Sequence, residues 1–230
     1  MLRNKRLGQA PNHATAGKTA WWQSLLRKWY ESLTRDDPAK PVDLIFVMAG
    51  QIARKHYGIE LFRAGVAPRL VLSTERFEVS KMSTFGLARF DELIALRDRT
   101  PADERFFYWK MDAFGESIEK RRIPRWNTYG EVLGLRQFLE EEKAQAVMIV
   151  STGIHLRRVA LTFAKVFRDA PVEFLYCPVP SCMDGLRSDR WWTRPEDRRY
   201  VLLETLKLAG YRAILSMPEW AIRLLMPLKA

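Results

Sequence analysis

The chain has 230 residues, which suits one α/β domain with extensions or two small domains, and 47% of them are hydrophobic, enough for a sizeable core. Lys and Arg number 38 against 27 Asp and Glu, a net charge of +11, which points to an anionic partner: nucleic acid, an anionic membrane surface or a phosphorylated small molecule. Two cysteines and three scattered histidines leave a structural zinc site short of its ligands, and no helix-turn-helix, zinc-finger or RNA-binding signature is present, so a nucleic-acid reader is disfavoured.

Residues 1–18 are polar, basic and rich in small residues and read as disordered. Their start, Arg3-Asn4-Lys5-Arg6, is followed by no apolar core, so no signal peptide is expected, and no apolar run approaches the ~20 residues that span a bilayer. A cytoplasmic protein with reduced cysteines is expected. Residues 19–34, TAWWQSLLRKWYESLT, form a helix candidate, with Thr19 as its cap and Trp22, Leu25, Leu26, Trp29 and Leu33 on one stripe. That helix either docks on the domain or lies at the inner face of the plasma membrane, where Trp and basic residues suit headgroups. Residues 1–41 hold eight Lys/Arg against three Asp/Glu, a net +5, and end in the linker DDPAKP.

Residues 42–48, VDLIFVM, are the continuous apolar run expected of a central parallel strand. Ala49-Gly50-Gln51 turns it into a helix over 52–63, and a second strand follows over 69–73, a βαβ unit. One glycine in that turn falls short of a phosphate-binding fingerprint. Arg54, in the first helical turn, either reaches a ligand over the turn or is solvated. A charged helix over 85–97, a third strand over 106–111 (FFYWKM) and a polar, basic segment over 112–125 come next. Asn127 or Thr128 is a natural N-cap for a helix over 132–142, and Glu131 stands near capping-box spacing from Thr128.

The densest functional signal is residues 147–167, VMIVSTGIHLRRVALTFAKVF. A β-branched run passes through Ser151-Thr152-Gly153 into a segment with Leu156, Val159, Ala160, Phe163 and Val166 at helical spacing. In an open α/β sheet, ligands bind off the carboxyl end of such a strand, against the helix N-terminus. His155, Arg157 and Arg158 stand in that first turn, where the helix dipole disfavours cations by a few tenths to ~1 kcal/mol. A bound anion or a neighbouring carboxylate would offset the cost. A strand over 172–177 follows, then a long loop over 178–195 whose Trp191 and Trp192 favour an ordered lid. A helix over 198–215 carries Glu204 and Lys207 one turn apart. The tail, 216–230, is apolar, basic and broken by Pro218 and Pro227, and either packs on the domain or lies in a membrane interface.

Five of these segments, in order, resemble a known family. VSTGIHLRRVALTF resembles the VTSxxHxxRA motif of the domain shared by the bacterial ElyC, SanA and YdcF proteins. VDLIFVMAG resembles that domain's opening strand and turn, ELFRAGVAPRLVLS its second unit and NTYGEV its Thr-x-x-Glu segment. Trp191-Trp192 and Glu204-x-x-Lys207 resemble its late pattern. The resemblance covers residues 42–211. It implies a three-layer α/β/α sandwich with a mainly parallel, Rossmann-like sheet over 42–215. It places Gly50, Thr128, Glu131, Thr152, His155 and Arg158 around a crevice at the carboxyl ends of the strands, and Arg54, Asn127, Ser151, Trp191, Trp192 and Glu204 complete the candidate set.

His155 and Glu131 are the candidate acid–base residues, and Arg158 the candidate bidentate anion ligand. No Ser or Cys nucleophile sits on a recognisable elbow, and no metal is expected. The chain departs from the family pattern at Ala49-Gly50-Gln51, which has fewer glycines, at Arg125, where Ser is common, and at Gly130-Glu131, where Glu-Asn is common. It also lacks the N-terminal transmembrane segment of ElyC- and SanA-like members. These departures bear on the ligand more than on the fold. Family members are tied to cell-envelope and peptidoglycan-precursor homeostasis, and a YdcF-like member to S-adenosylmethionine. That cofactor would need an acid near the end of the second strand, Glu75 or Glu78. The resemblance therefore implies an envelope-biogenesis factor that binds or transforms an anionic, phosphorylated small molecule. A non-catalytic peripheral membrane factor and a nucleotide-binding protein are the alternatives. Oligomeric state and catalysis are not legible in the sequence.

Overall fold

The structure, a computed structural model, describes residues 21–38, 40–75, 77–123 and 127–225. The expectations for residues 1–18, for Thr19 as a cap, for Arg125 and for the last five residues of the tail lie outside the described residues.

Six strands form one sheet: β1 (Leu44–Val47), β2 (Leu70–Glu75), β3 (Phe106–Asp112), β4 (Gly115–Lys120), β5 (Ala146–Thr152) and β6 (Glu173–Val179), in the order β4-β3-β2-β1-β5-β6. The pairings β1–β2, β1–β5 and β5–β6 are parallel, and β3 and β4 add an antiparallel hairpin at one edge. The helices are α1 (Trp21–Leu33), α2 (Ile52–Arg63), α3 (Phe90–Arg99), α4 (Thr128–Glu142), α5 (Gly153–Val166), α6 (Ser181–Asp184), α7 (Pro195–Leu215) and α8 (Glu219–Leu225).

The central strands are apolar on both sides because both sides are covered. Leu44 and Phe46 of β1 join Val147 and Ile149 of β5 in a core with Val132, Phe138, Val159 and Phe163 of α4 and α5. Ile45 and Val47 join Met148 and Val150 in a second core with Ile59 of α2 and Leu93 of α3. The strand period of two thus splits one apolar run between two cores. α2 lies close on β1: a Cβ at Gly58 would stand 2.2 Å from Val47 Cγ2. The expected α/β class and mainly parallel central sheet are present.

α1 docks by its second half. Tyr30 and Leu33 are buried against Ile154, Leu186 and Val201. The Trp29 indole N–H donates to Thr205 Oγ1 (3.1 Å), and the Trp191 indole N–H donates to the Leu26 carbonyl (3.2 Å). Trp21, Trp22 and Leu25, at the other end, remain exposed.

The segment 112–125, polar and basic and given no element from the sequence, contains β4. Its sequence GESIEK places charged or polar residues on both faces of a half-exposed edge strand, so no apolar alternation marks it. A 3₁₀ turn, Val79–Phe85, precedes α3, which starts later than its charge pattern suggested. The loop after β6 holds α6 and a 3₁₀ turn at Trp191–Thr193, and Pro195 opens α7 at a position where a missing N–H costs nothing. Of the tail's two expected readings, packing holds for Ile222, buried in the α4/α5-side core. Among the described residues, no helix is long and apolar enough to cross a membrane.

Candidate functional site

The strand order reverses at β1. The chain moves from β1 to β2 on one side and from β5 to β6 on the other. In open α/β sheets the ligand crevice lies at such a reversal, between the turns after the two strands and outside their carboxyl ends, here the turns after β1 and β5. α2 starts four residues past Met48, and α5 starts directly after Thr152, so two helix N-termini lie at the carboxyl ends of adjacent strands. Neither has a side-chain cap, and neither has an acid in its first turn. α3, α4 and α7 all carry acids there. Two uncapped N-termini concentrate partial positive charge at one place.

Arg54 lies between them, 5% exposed. Nη1 donates to the Ala49 carbonyl and Nη2 to Thr152 Oγ1 (3.0 Å), so one guanidinium ties the β1 turn to the β5 turn. Among the described residues, its buried Nε has no hydrogen-bond partner. Gly50 has φ of 123°, in the region that disfavours side chains, and a Cβ there would stand 2.8 Å from Arg54 Nη1. The glycine makes room for the arginine.

Glu131 fixes the turn from below. Its Oε1 accepts from the Ala49 N–H (2.8 Å) and from Ser73 Oγ (2.6 Å). Burial pushes its carboxyl above the ordinary carboxylate range, against the pull of those donors. It does not close a capping box with Thr128. Asn127 is the N-cap of α4, its side chain accepting from the Gly130 N–H (2.9 Å), and Glu131 reaches across to the neighbouring turn instead. That is a correction to the capping-box expectation.

His155 is 6% exposed, with Ser151 Oγ 2.9 Å from Nδ1 and Thr128 Oγ1 3.3 Å from Nε2. Burial first, and the nearby Arg158 charge second, hold its pKa well below the ordinary value, so the ring is neutral. Arg158 Nη1 donates to Thr128 Oγ1. That hydroxyl can pass its own hydrogen to Nε2, which leaves Nδ1–H to donate to Ser151. His155 and Glu131 are not hydrogen-bonded to each other, and each is engaged elsewhere. Ser151 is fully buried, so its contact with the imidazole is part of the packing.

Arg158 has found the carboxylate. Its Nε and Nη2 donate to Glu204 Oε2 (3.2 and 2.9 Å), and Lys207 Nζ donates to Glu204 Oε1 (2.8 Å). α5 begins at Gly153, which puts Arg158 in its second turn and not in the first turn expected from the sequence; of the two ways to offset its charge, the structure supplies the acid. Glu204 is buried and spent on this pair. Trp191 and Trp192 pack on α1: Trp191 is buried in a cluster with Tyr30, Leu33 and Ile154, and Trp192 packs edge-on against Trp22 (5.9 Å). Their contacts serve to dock α1. Thr152 is shared between Arg54 and the Tyr200 hydroxyl (3.3 Å).

Two residues of this network, Lys55 and Asp184, escaped the sequence reading, which named Glu75 and Glu78 only as candidate acids for a ribose. Lys55 is fully buried, with Nζ 2.5 Å from Glu78 Oε1. Beside Arg54 in a helix of weak amphipathicity it reads as one more solvated cation. Glu78 also accepts from the backbone N–H of Gly50 (2.6 Å) and of Glu75 (2.8 Å), so it is occupied and Glu75 is the remaining acid at the end of β2. Burial, then the neighbouring Glu131 and Glu78 charges, push the Glu75 carboxyl up to about 7. Asp184 of α6 is half-buried within the field of Arg54, its carboxyl raised by burial. Only a partner such as Glu78, spaced by a whole loop from Lys55, could have flagged these, and spacing in the chain does not reveal it.

Among the described residues, no group of three or more His, Cys, Asp or Glu is placed to hold a metal ion. No family model, curated protein or solved structure matches the chain.

Proposed function

We propose that the crevice between the turns after β1 and β5 binds an anionic, phosphorylated small molecule. The observation that carries this is the meeting of two uncapped helix N-termini over a buried arginine whose Nε is unpartnered. Arg54 is the cation of this proposal. Arg158, held by Glu204, supports the wall through Thr128 and His155. The cell-envelope assignment rests on the motif resemblance to ElyC-, SanA- and YdcF-like domains alone. Binding, rather than turnover, is what these contacts favour, because the neutral imidazole and the Glu131 carboxyl are each satisfied within the protein.

Native mass spectrometry of the full chain as purified tests the proposal. A retained anionic molecule is expected, and it should be lost in Arg54→Gln while circular dichroism stays unchanged. A wild-type protein with no bound mass, and none acquired from a pool of phosphorylated metabolites, would contradict it.

A nucleotide, or a nucleoside derivative such as S-adenosylmethionine, is the second reading, favoured by Glu75. This carboxyl sits at the carboxyl end of β2, next to the strand that opens the crevice, and is partly exposed. An acid there can hydrogen-bond ribose hydroxyls. Glu75→Ala would then weaken nucleotide binding and leave the binding of pyrophosphate intact.

A further inference from the structure

We propose that the outward face of α7, together with the exposed start of α1, docks on the surface of an anionic lipid bilayer. This rests on the helix's own surface and is independent of what the crevice binds.

α7 is apolar on both sides. Val201, Leu208 and Leu215 point into the protein with Glu204. Opposite them, Leu202, Leu203, Leu206, Ala209, Gly210 and Ala213 are exposed, with Leu206 at 69%. Spacings of three and four place these six on one stripe along three turns. A stripe of this kind on a helix that already buries its other face calls for a covering.

The charges around the stripe say what kind. From Arg198 to Leu215 the exposed charged residues are Arg198, Arg199, Lys207 and Arg212, all cations. The one acid in that span, Glu204, lies beneath the helix, bound to Arg158 and Lys207. An apolar strip flanked by four cations, against one exposed acid, Glu196, in the first turn of the helix, carries a net positive rim that complements a surface apolar below and negative at its headgroups. The same rim opposes a second copy of a chain that carries +11.

α1 extends the surface. The Trp29–Thr205 hydrogen bond fixes its position beside α7. Leu25 and Leu202 each stand one turn before that bond, and both are exposed. Trp22, set against Trp192, lies at the N-terminal end of α7, next to Trp21, which is 74% exposed. Tryptophan with basic neighbours is suited to the headgroup boundary.

The test is flotation of the full chain with vesicles of phosphatidylcholine alone or mixed with phosphatidylglycerol. The protein should float with the mixed vesicles and not with the neutral ones, and high salt should weaken binding. Each basic residue near such a surface strengthens binding about fivefold, so Arg199→Glu with Arg212→Glu should lower it at least tenfold or so. Leu202→Glu with Leu206→Glu should do the same while circular dichroism and crevice binding are unchanged, since both side chains are exposed. Equal binding to neutral vesicles, no binding at all, or leucine variants that float like wild type would overturn the proposal. So would light scattering that finds a wild-type dimer, dispersed by the leucine changes, with no vesicle binding.

Discussion

Arg54 and Arg158 each stand near the start of a helix that follows a strand, Arg54 third in α2 and Arg158 sixth in α5. Their surroundings separate them. Arg158 has a buried carboxylate on two of its nitrogens; Arg54 has a carbonyl, a hydroxyl and one nitrogen unspent. A buried charge that loses its partner is costly, so Arg158 is a structural cation whose removal would leave Glu204 with Lys207 alone. The sequence named both arginines, Thr152 and His155, and put Arg158 first as the anion ligand, because the acid that holds it lies 46 residues further on in the chain. Glu75 gives the sharpest prediction at this scale. Its folded carboxyl titrates at about 7 against an ordinary 4.5. The native state therefore holds this proton more tightly than the unfolded chain. The resulting stabilisation is complete below the unfolded value and is lost as pH rises through the folded one. Compared with Glu75→Gln, the wild type should lose about 2 kcal/mol of stability between about pH 5 and pH 8, measured by urea unfolding. A difference between the two proteins that does not change with pH would contradict this placement of Glu75.

The elements were legible where burial is two-sided and obscure where it is not. VDLIFVM and VMIVST read as central strands because each holds an unbroken apolar run, LIFVM and VMIV, and both are central. GESIEK, at the free edge, offered no such pattern and was missed. The bounds of α2, 52–63, came directly from the sequence, but its tight seat on β1 did not, since a glycine inside a helix has no single meaning. Two glycines make that difference measurable. At Gly58 an added methyl meets Val47 at 2.2 Å; at Gly210, inside α7, it meets nothing within 4 Å. Gly58→Ala should cost about 2–3 kcal/mol by forcing α2 off the sheet. Gly210→Ala should stabilise by about 0.5–1 kcal/mol through helix propensity. Thermal melts of the two variants check both signs at once, and a destabilising Gly210→Ala would mean that something in the folded protein approaches that position closely.

At the scale of the whole molecule, the parallel sheet decides where function can sit. The reversal of strand order at β1 puts two helix N-termini over one crevice, and the charges of Arg54 and the paired Lys55 lie beneath it. The buried charges among the described residues balance, Arg54, Lys55 and Arg158 against Glu78, Glu131 and Glu204, so the excess of +11 belongs elsewhere, in part on the rim of α7. The sequence pointed to an anion but could not distribute the charge between a pocket and a surface, because that requires knowing which cations are buried. The most direct measurement is a ¹H–¹⁵N titration of the full chain with pyrophosphate. Saturable shifts should appear at the amides of Ile52, Ala53, Gly153 and Ile154, at the starts of α2 and α5, and should vanish in Arg54→Gln. Shifts confined to the exposed basic residues of α1 and α7, or shifts at the four amides that persist without Arg54, would contradict an anion site in the crevice.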